Sequence, residues 1–138
     1  MDTKEAPVAS AAPARPRPLR VAIVDDNEDI RLLIGLHLEL DDRFEFTAQA
    51  ADGAEAIALL DRIDIDAMVL DMHMPGLPGS QVLQVVRDAH PEVRVVAFSA
   101  DSRTLQLAAQ EGAAATVLKG QNLDGLMAAL LHESELIR

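Results

Sequence analysis

From Leu19 onward the chain alternates between two hydrophobic patterns. Short apolar or β-branched runs occur at Arg20–Val24, Phe44–Ala48, Ala67–Leu70, Val93–Phe98 and Ala115–Leu118. Between them, apolar positions recur at the spacing of one helix face. The first such stripe is Ile30, Leu33, Ile34, His37 and Leu38, and the second is Ala54, Ile57, Ala58 and Leu60. Val82, Leu83, Val85 and Val86 make a third, Leu105, Ala108 and Ala109 a fourth, and Leu123, Leu126, Met127 and Leu130 a fifth. Asn27, Asp52, Ser80, Ser102 and Asn122 stand where N-caps are expected. Five βα units in strict alternation predict an α/β fold: a doubly wound parallel sheet with helices on both faces and right-handed crossovers. Val21–Val24 and Met68–Leu70 are apolar without alternation, as strands buried on both faces must be.

In open sheets of this kind, sites form outside the carboxyl ends of the strands. The residues at those ends are therefore the first candidates for chemistry. Asp25 and Asp26 follow the first strand, Asp71 the third, Ser99 the fourth and Lys119 the fifth. If the first and third strands are neighbours, three carboxylates converge, and like charges at that range need a cation. A few carboxylate oxygens completed by water and phosphate suit Mg²⁺ rather than zinc. A carboxylate beside Mg²⁺ can attack phosphorus and form an acyl phosphate. Ser99 offers a hydroxyl donor, and Lys119 a flexible positive charge for a phosphate oxygen. Taken singly these residues say little: adjacent aspartates often cap a turn, and a lone lysine is usually a surface charge. Their order along the chain carries the reading.

Composition changes this picture at three points. The length of 138 residues suits one domain. Residues 1–18, rich in Ala and Pro and without periodicity, are expected to form a disordered tail, with the domain at 19–138. The net charge is −11, of which the tail contributes +1 and the remainder −12, so the body repels nucleic-acid phosphates and is not expected to bind them directly. No apolar run reaches the roughly 20 residues of a membrane span, and the N-terminus lacks the marks of a signal peptide, so the expected location is cytoplasmic. Without cysteine there are no disulfides or thiolate sites.

The order Asp25-Asp26, Asp71-x-x-Met74-Pro75-Gly76, Ser99-Ala100 and Lys119 resembles the receiver domain of two-component response regulators over about residues 19–134. The resemblance implies a flavodoxin-like (βα)5 fold with strand order 2-1-3-4-5. It implies that Asp71 accepts a phosphoryl group from a histidine kinase or histidine phosphotransfer protein. Mg²⁺ would be held by Asp26 directly, by Asp25 through water, by Asp71 and by the backbone carbonyl of His73. Ser99 and Lys119 would bind the phosphoryl oxygens. The output would be altered protein binding through the fourth helix, fifth strand and fifth helix, to an effector protein, an output domain missing from this chain, or a second copy. A phosphorelay intermediate passing phosphate between histidines is the alternative. Gly112–Gly120 is similar to the fifth-strand region of regulators with LuxR-type DNA-binding domains. The chain is expected to be either a single-domain receiver or a fragment whose output module was removed.

Two departures accompany the resemblance. The family usually carries Tyr or Phe where this chain has Thr116, so coupling to the output face is expected either to be weaker or to take another route, such as the loop after Ser99 and the fourth helix. His73 and Asp101, each two residues past a site residue, occupy positions that tune phosphate lifetime in the family. His73 also argues against a phosphohydrolase of the haloacid dehalogenase type, which would place a second Asp there. A switching protein that catalyses only its own phosphorylation and dephosphorylation, rather than an enzyme of turnover, is therefore expected. Of the other histidines, His37 is expected in the core, and His90 and His132 on the surface near helix ends. Leu105, Leu107, Leu126 and Leu131 are expected mainly as core residues.

Overall fold

The computed structural model describes residues 17–120 and 122–131. Most of the expected tail and His132 lie outside the described residues. The elements are β1 (Leu19–Val24), α1 (Glu28–Glu39), β2 (Phe44–Ala50), α2 (Gly53–Leu60), β3 (Ala67–Asp71), α3 (Gly79–Ala89), β4 (Arg94–Ser99), α4 (Ser102–Gln110), β5 (Ala115–Leu118) and α5 (Leu123–Leu130). All five strands pair in parallel in the order β2-β1-β3-β4-β5. This is the 2-1-3-4-5 doubly wound sheet that the alternating pattern and the resemblance imply.

Because side chains alternate along a strand, each central strand feeds two cores. Val21, Ile23, Ala67, Val69, Val96 and Phe98 pack with α1 and α5. Ala22, Val24, Met68, Leu70, Val95 and Ala97 pack with α2, α3 and α4 on the other face. Every residue of β3 is buried, which is why its sequence reads as an unbroken apolar run up to Asp71.

The N-terminal end of the sheet is fastened by one carboxylate. Asp66 accepts from the Arg20 amide at 2.8 Å and from the guanidinium groups of Arg17 and Arg20. Hydrogen bonding to Arg17 first, and to Arg20, holds the Asp66 carboxyl far below the ordinary carboxylate range. The entries to β1 and β3 are thereby joined at the end of the sheet opposite Asp71.

The helix starts correct two expectations. Asn27, Asp52 and Asn122 do cap their helices, each side chain accepting from backbone amides of the first turn. Pro78, not Ser80, is the N-cap of α3, which begins at Gly79. A Cβ at Gly79 would lie 2.9 Å from Met72 Cα, so glycine lets the helix start against the loop behind Asp71. Asp101, not Ser102, caps α4, accepting from the Arg103 amide.

The stripe on α1 is narrower than its sequence suggests. Ile34, Gly35 and Leu38 are buried, whereas Leu33 and His37 face outward. His37 is therefore not a core histidine; its Nδ1 lies 3.1 Å from the Leu33 carbonyl. On α2 the buried face is Ala56, Leu59 and Leu60, not one including Ala54 and Ala58. His90 caps the C-terminus of α3 and is half-buried, 3.4 Å from Asp61. Leu105, Leu126 and Leu131 are core residues, and Leu107 is exposed.

Candidate functional site

Each candidate side chain stands at or immediately past the end of a hydrogen-bonded strand. The Asp25 amide still donates to the Ala50 carbonyl, the Met72 amide to Phe98, and the Lys119 amide to Ser99. The ladder thus fixes the backbone just where each side chain leaves the sheet. Since β3 lies between β1 and β4, and β5 follows β4, the ends carrying Asp25, Asp71, Ser99 and Lys119 form one row.

Three acids meet at its centre. One carboxylate oxygen from each of Asp25, Asp26 and Asp71 lies within 4.8 Å of the others. Asp25 and Asp71 are buried, at 0% and 1% exposure, and Asp26 is exposed at the rim. Asp25 Oδ1 accepts from the Asn27 amide at 2.9 Å. Asp71 Oδ1 accepts from the His73 amide at 2.9 Å. Lys119 Nζ lies 3.1 Å from Asp25 Oδ2 and 3.4 Å from Asp71 Oδ2. The ammonium also sits 5.4 Å from the centroid of the Phe98 ring, which steadies it in a cation–π contact.

One cation cannot serve three carboxylates. Asp25 Oδ2 is buried and, although paired in charge with Lys119, has no hydrogen bond of acceptable geometry. Burial pushes the Asp71 carboxyl up to about 6; the Asp25 charge adds to the rise, while the His73 amide and Lys119 oppose it. An unsatisfied buried oxygen amid an all-oxygen donor set fits a hard divalent cation such as Mg²⁺. Asp25, Asp26 and Asp71 are the side chains that could hold it.

The rest of the site comes from the end of β4, the loops after β3 and β4, and residues of α4, α1 and β2. Ser99 is buried, and its Oγ accepts from the Asp101 amide at 3.0 Å. Asp101 Oδ2 accepts from the Thr104 hydroxyl at 3.0 Å, and this bond leads the interactions that lower the Asp101 pKa. The His73 ring, exposed above the site, places Nε2 3.1 Å from Thr104 Oγ1. Arg31 donates to the Asp25 carbonyl at 2.7 Å and to Gln49 Oε1 at 2.8 Å, bracing the acidic loop. The sequence reading missed Arg31, Gln49 and Thr104. They lie on a helix face or a strand with no motif of their own, and only the packing brings them to the site.

A sequence model of the response regulator receiver domain matches residues 21–131. The chain belongs to the response regulator receiver family. Its receiver relatives include the protein named NarL of Mycobacterium tuberculosis, 32% identical over 119 residues, covering 85% of this chain and 55% of that protein. The nitrate/nitrite response regulator NarP of Escherichia coli is 44% identical over 70 residues, covering 51% of this chain and 33% of NarP. A protein-glutamate methylesterase of Rhodospirillum centenum is 43% identical over 82 residues, 59% of this chain but 21% of the enzyme. The receiver matched here therefore spans between about a fifth and just over half of these relatives. Among solved structures, the response regulator TrrA of Thermotoga maritima in complex with Mg²⁺ and beryllium fluoride is similar at TM-score 0.71 and 26% identity, covering 80% of this chain and 94% of that one. A LuxR-family DNA-binding response regulator from Staphylococcus aureus shares the fold at TM-score 0.74 and 24% identity, covering 80% of this chain and 94% of that one. The described part of the chain contains no helix long and apolar enough to cross a membrane.

Proposed function

We propose that this receiver is a phosphorylation-dependent switch in which Asp71 accepts a phosphoryl group. The observation that carries the reading is the convergence of three carboxylate oxygens within 4.8 Å, with Lys119 Nζ 3.1–3.4 Å from two of them. With its pKa about 6, Asp71 is mostly ionised at neutral pH and so available as a nucleophile. A carboxylate oxygen attacks phosphorus in line; the new O–P bond forms as the P–N bond to a donor phosphohistidine breaks, and the freed imidazole takes up a proton. Mg²⁺ bound by Asp25, Asp26, Asp71 and the His73 carbonyl would neutralise charge on the transferring oxygens. Lys119 moves from the carboxylates to a phosphoryl oxygen, and the Ser99 hydroxyl donates to another. Asp25 and Asp26 exclude a second anion until charge is neutralised, which makes transfer depend on the cation.

The donor in this reading is a histidine kinase or a histidine phosphotransfer protein. Helix α1 and its C-cap supply a surface for a protein partner: Leu32, Leu33 and Leu36 on the helix and Leu40 at its cap are 49–86% exposed. The output is a change of protein binding at the face of α4, β5 and α5, read by an effector protein, an output domain or a second copy. The acidic body supports a protein partner over direct contact with nucleic acid. The TrrA complex supports both the cation and the phosphoryl-like ligand by similarity. Relatives that are methylesterases in full length leave the receiver itself a switch in this reading, because its match covers 21% of that enzyme. Incubation with acetyl phosphate and Mg²⁺ tests the proposal by intact mass. The mass of one phosphoryl group should appear in wild type and be missing with chelator or in Asp71→Asn; equal labelling of Asp71→Asn would overturn it.

A further inference from the structure

The side chain that joins the phosphorylation site to α4 is Thr104. Two arms reach its hydroxyl. One runs from Asp71 Oδ1 to the His73 amide at 2.9 Å, then through the His73 ring, whose Nε2 is 3.1 Å from Thr104 Oγ1. The other runs from Ser99 Oγ to the Asp101 amide at 3.0 Å, then through the Asp101 carboxylate, whose Oδ2 receives the Thr104 hydroxyl at 3.0 Å. The hydroxyl has a single proton and gives it to Asp101, so it offers His73 a lone pair, and Nε2 carries the hydrogen. The two arms thus meet at Thr104, and they begin at the two groups phosphorylation would change.

Helix α4 is suited to respond. Only Leu105 and Ala108 of its residues are buried, against four residues of α3. A helix with so few apolar anchors sits at the low-stability end of a structure, where a pair of hydrogen bonds has leverage. Asp101 adds to that leverage, because its other oxygen caps the same helix through the Arg103 amide. On β5, Thr116 is exposed and has no ring to turn inward.

Resting on the phosphorylation reading above, we propose that Thr104 is the positioning residue that transmits the state of Asp71 and Ser99 to α4. When Asp71 becomes an acyl phosphate and the Ser99 hydroxyl turns to a phosphoryl oxygen, the roots of both arms change partners together. Thr104 then loses the geometry that held it, and the first turn of α4 is released to a second position. The role requires the hydroxyl and not the bulk of the side chain.

Backbone NMR of the full chain with Mg²⁺ and beryllofluoride tests this on wild type, Thr104→Val and Thr104→Ser. Amides of Asp71, His73 and Ser99 report loading of the site, and amides of Leu105–Gln110 report α4. In wild type both sets shift. In Thr104→Val the site still loads, but α4 is displaced already without ligand and its further response falls by more than about half. Thr104→Ser, which keeps the hydroxyl, restores the wild-type pattern. Full α4 response in Thr104→Val, or no rescue by serine, overturns the relay while leaving phosphorylation intact. A wild-type protein whose Asp71, His73 and Ser99 amides do not shift overturns the phosphorylation reading and the relay with it.

Discussion

Replacing Asp71, the proposed acceptor, should make the metal-free protein more stable. In Asp71→Asn the amide oxygen can still accept from the His73 amide, and Lys119 keeps Asp25 as its partner at 3.1 Å. What disappears is a buried negative charge beside another. An unfolded aspartate titrates near 3.9, and Asp71 in the fold near 6, a shift of about two units or roughly 3 kcal/mol at about 1.4 kcal/mol per unit. The folded protein holds the extra proton between those values, so wild-type stability falls as pH rises from about 4 to 6 and stays low above that range. That shift is already net of the Lys119–Asp71 attraction, so the gain at pH 7.5 is on the order of 1–3 kcal/mol. For a domain of this size, that corresponds to a rise in Tm on the order of 4–12 °C. Thermal unfolding of both proteins in chelator, from pH 4 to 8, is the assay. The gap between them should open as pH rises and narrow when Mg²⁺ is added, since the cation stabilises the native wild type by mass action. An Asn variant that is no more stable at pH 7.5, or a gap that does not vary with pH, would refute the reasoning.

Other substitutions probe the frame around the site. Arg31→Ala removes the guanidinium from the Asp25 carbonyl and should weaken Mg²⁺ binding about tenfold by calorimetry; unchanged affinity would free the acidic loop from that brace. Asp66→Asn should cost about 1–2 kcal/mol in urea unfolding at pH 7, because five donors from Arg17 and Arg20 lose a charged acceptor and half-exposed Arg17 is partly screened. The Asp66 pKa is depressed, so its contribution is present above the unfolded value and lost as pH falls through the folded one; the cost of the substitution should shrink below about pH 4, and a constant cost would count against the pairing. Gly79→Ala places a Cβ against Met72 Cα and should destabilise by about 1–2 kcal/mol while weakening Mg²⁺ binding; an unperturbed Tm would mean that the loop yields freely.

The sheet and the row of site residues were legible in the sequence because both depend on backbone rules. Parallel βα units bring the carboxyl ends of their strands together, so Asp25, Asp26, Asp71, Ser99 and Lys119 could be placed by strand alone. Helix faces were less legible. An apolar residue does not state whether a neighbour covers it: Leu33 and Leu36 of α1 are half exposed because this helix lies over one edge of the sheet, and its contact narrows to Ile34, Gly35 and Leu38. The caps misread for the same local reason. Asp101 and Ser102 both suit an N-cap, and only the folded backbone, in which the Asp101 amide donates to Ser99 Oγ and the Arg103 amide to Asp101 Oδ1, selects Asp101. Arg31 and Thr104 were invisible because their distances to the site are set by how α1 and α4 pack, not by any spacing along the chain.

The central claim is chemical: one carboxylate, at position 71, carries the phosphoryl group. Borohydride reduces an acyl phosphate but leaves a free carboxylate, so treatment after phosphorylation followed by peptide sequencing in the mass spectrometer locates the bond. Homoserine at position 71, formed only when both Mg²⁺ and the phosphoryl donor are present, is the result expected. Reduction at Asp25 or Asp26, or none at all in protein that binds Mg²⁺, would contradict it.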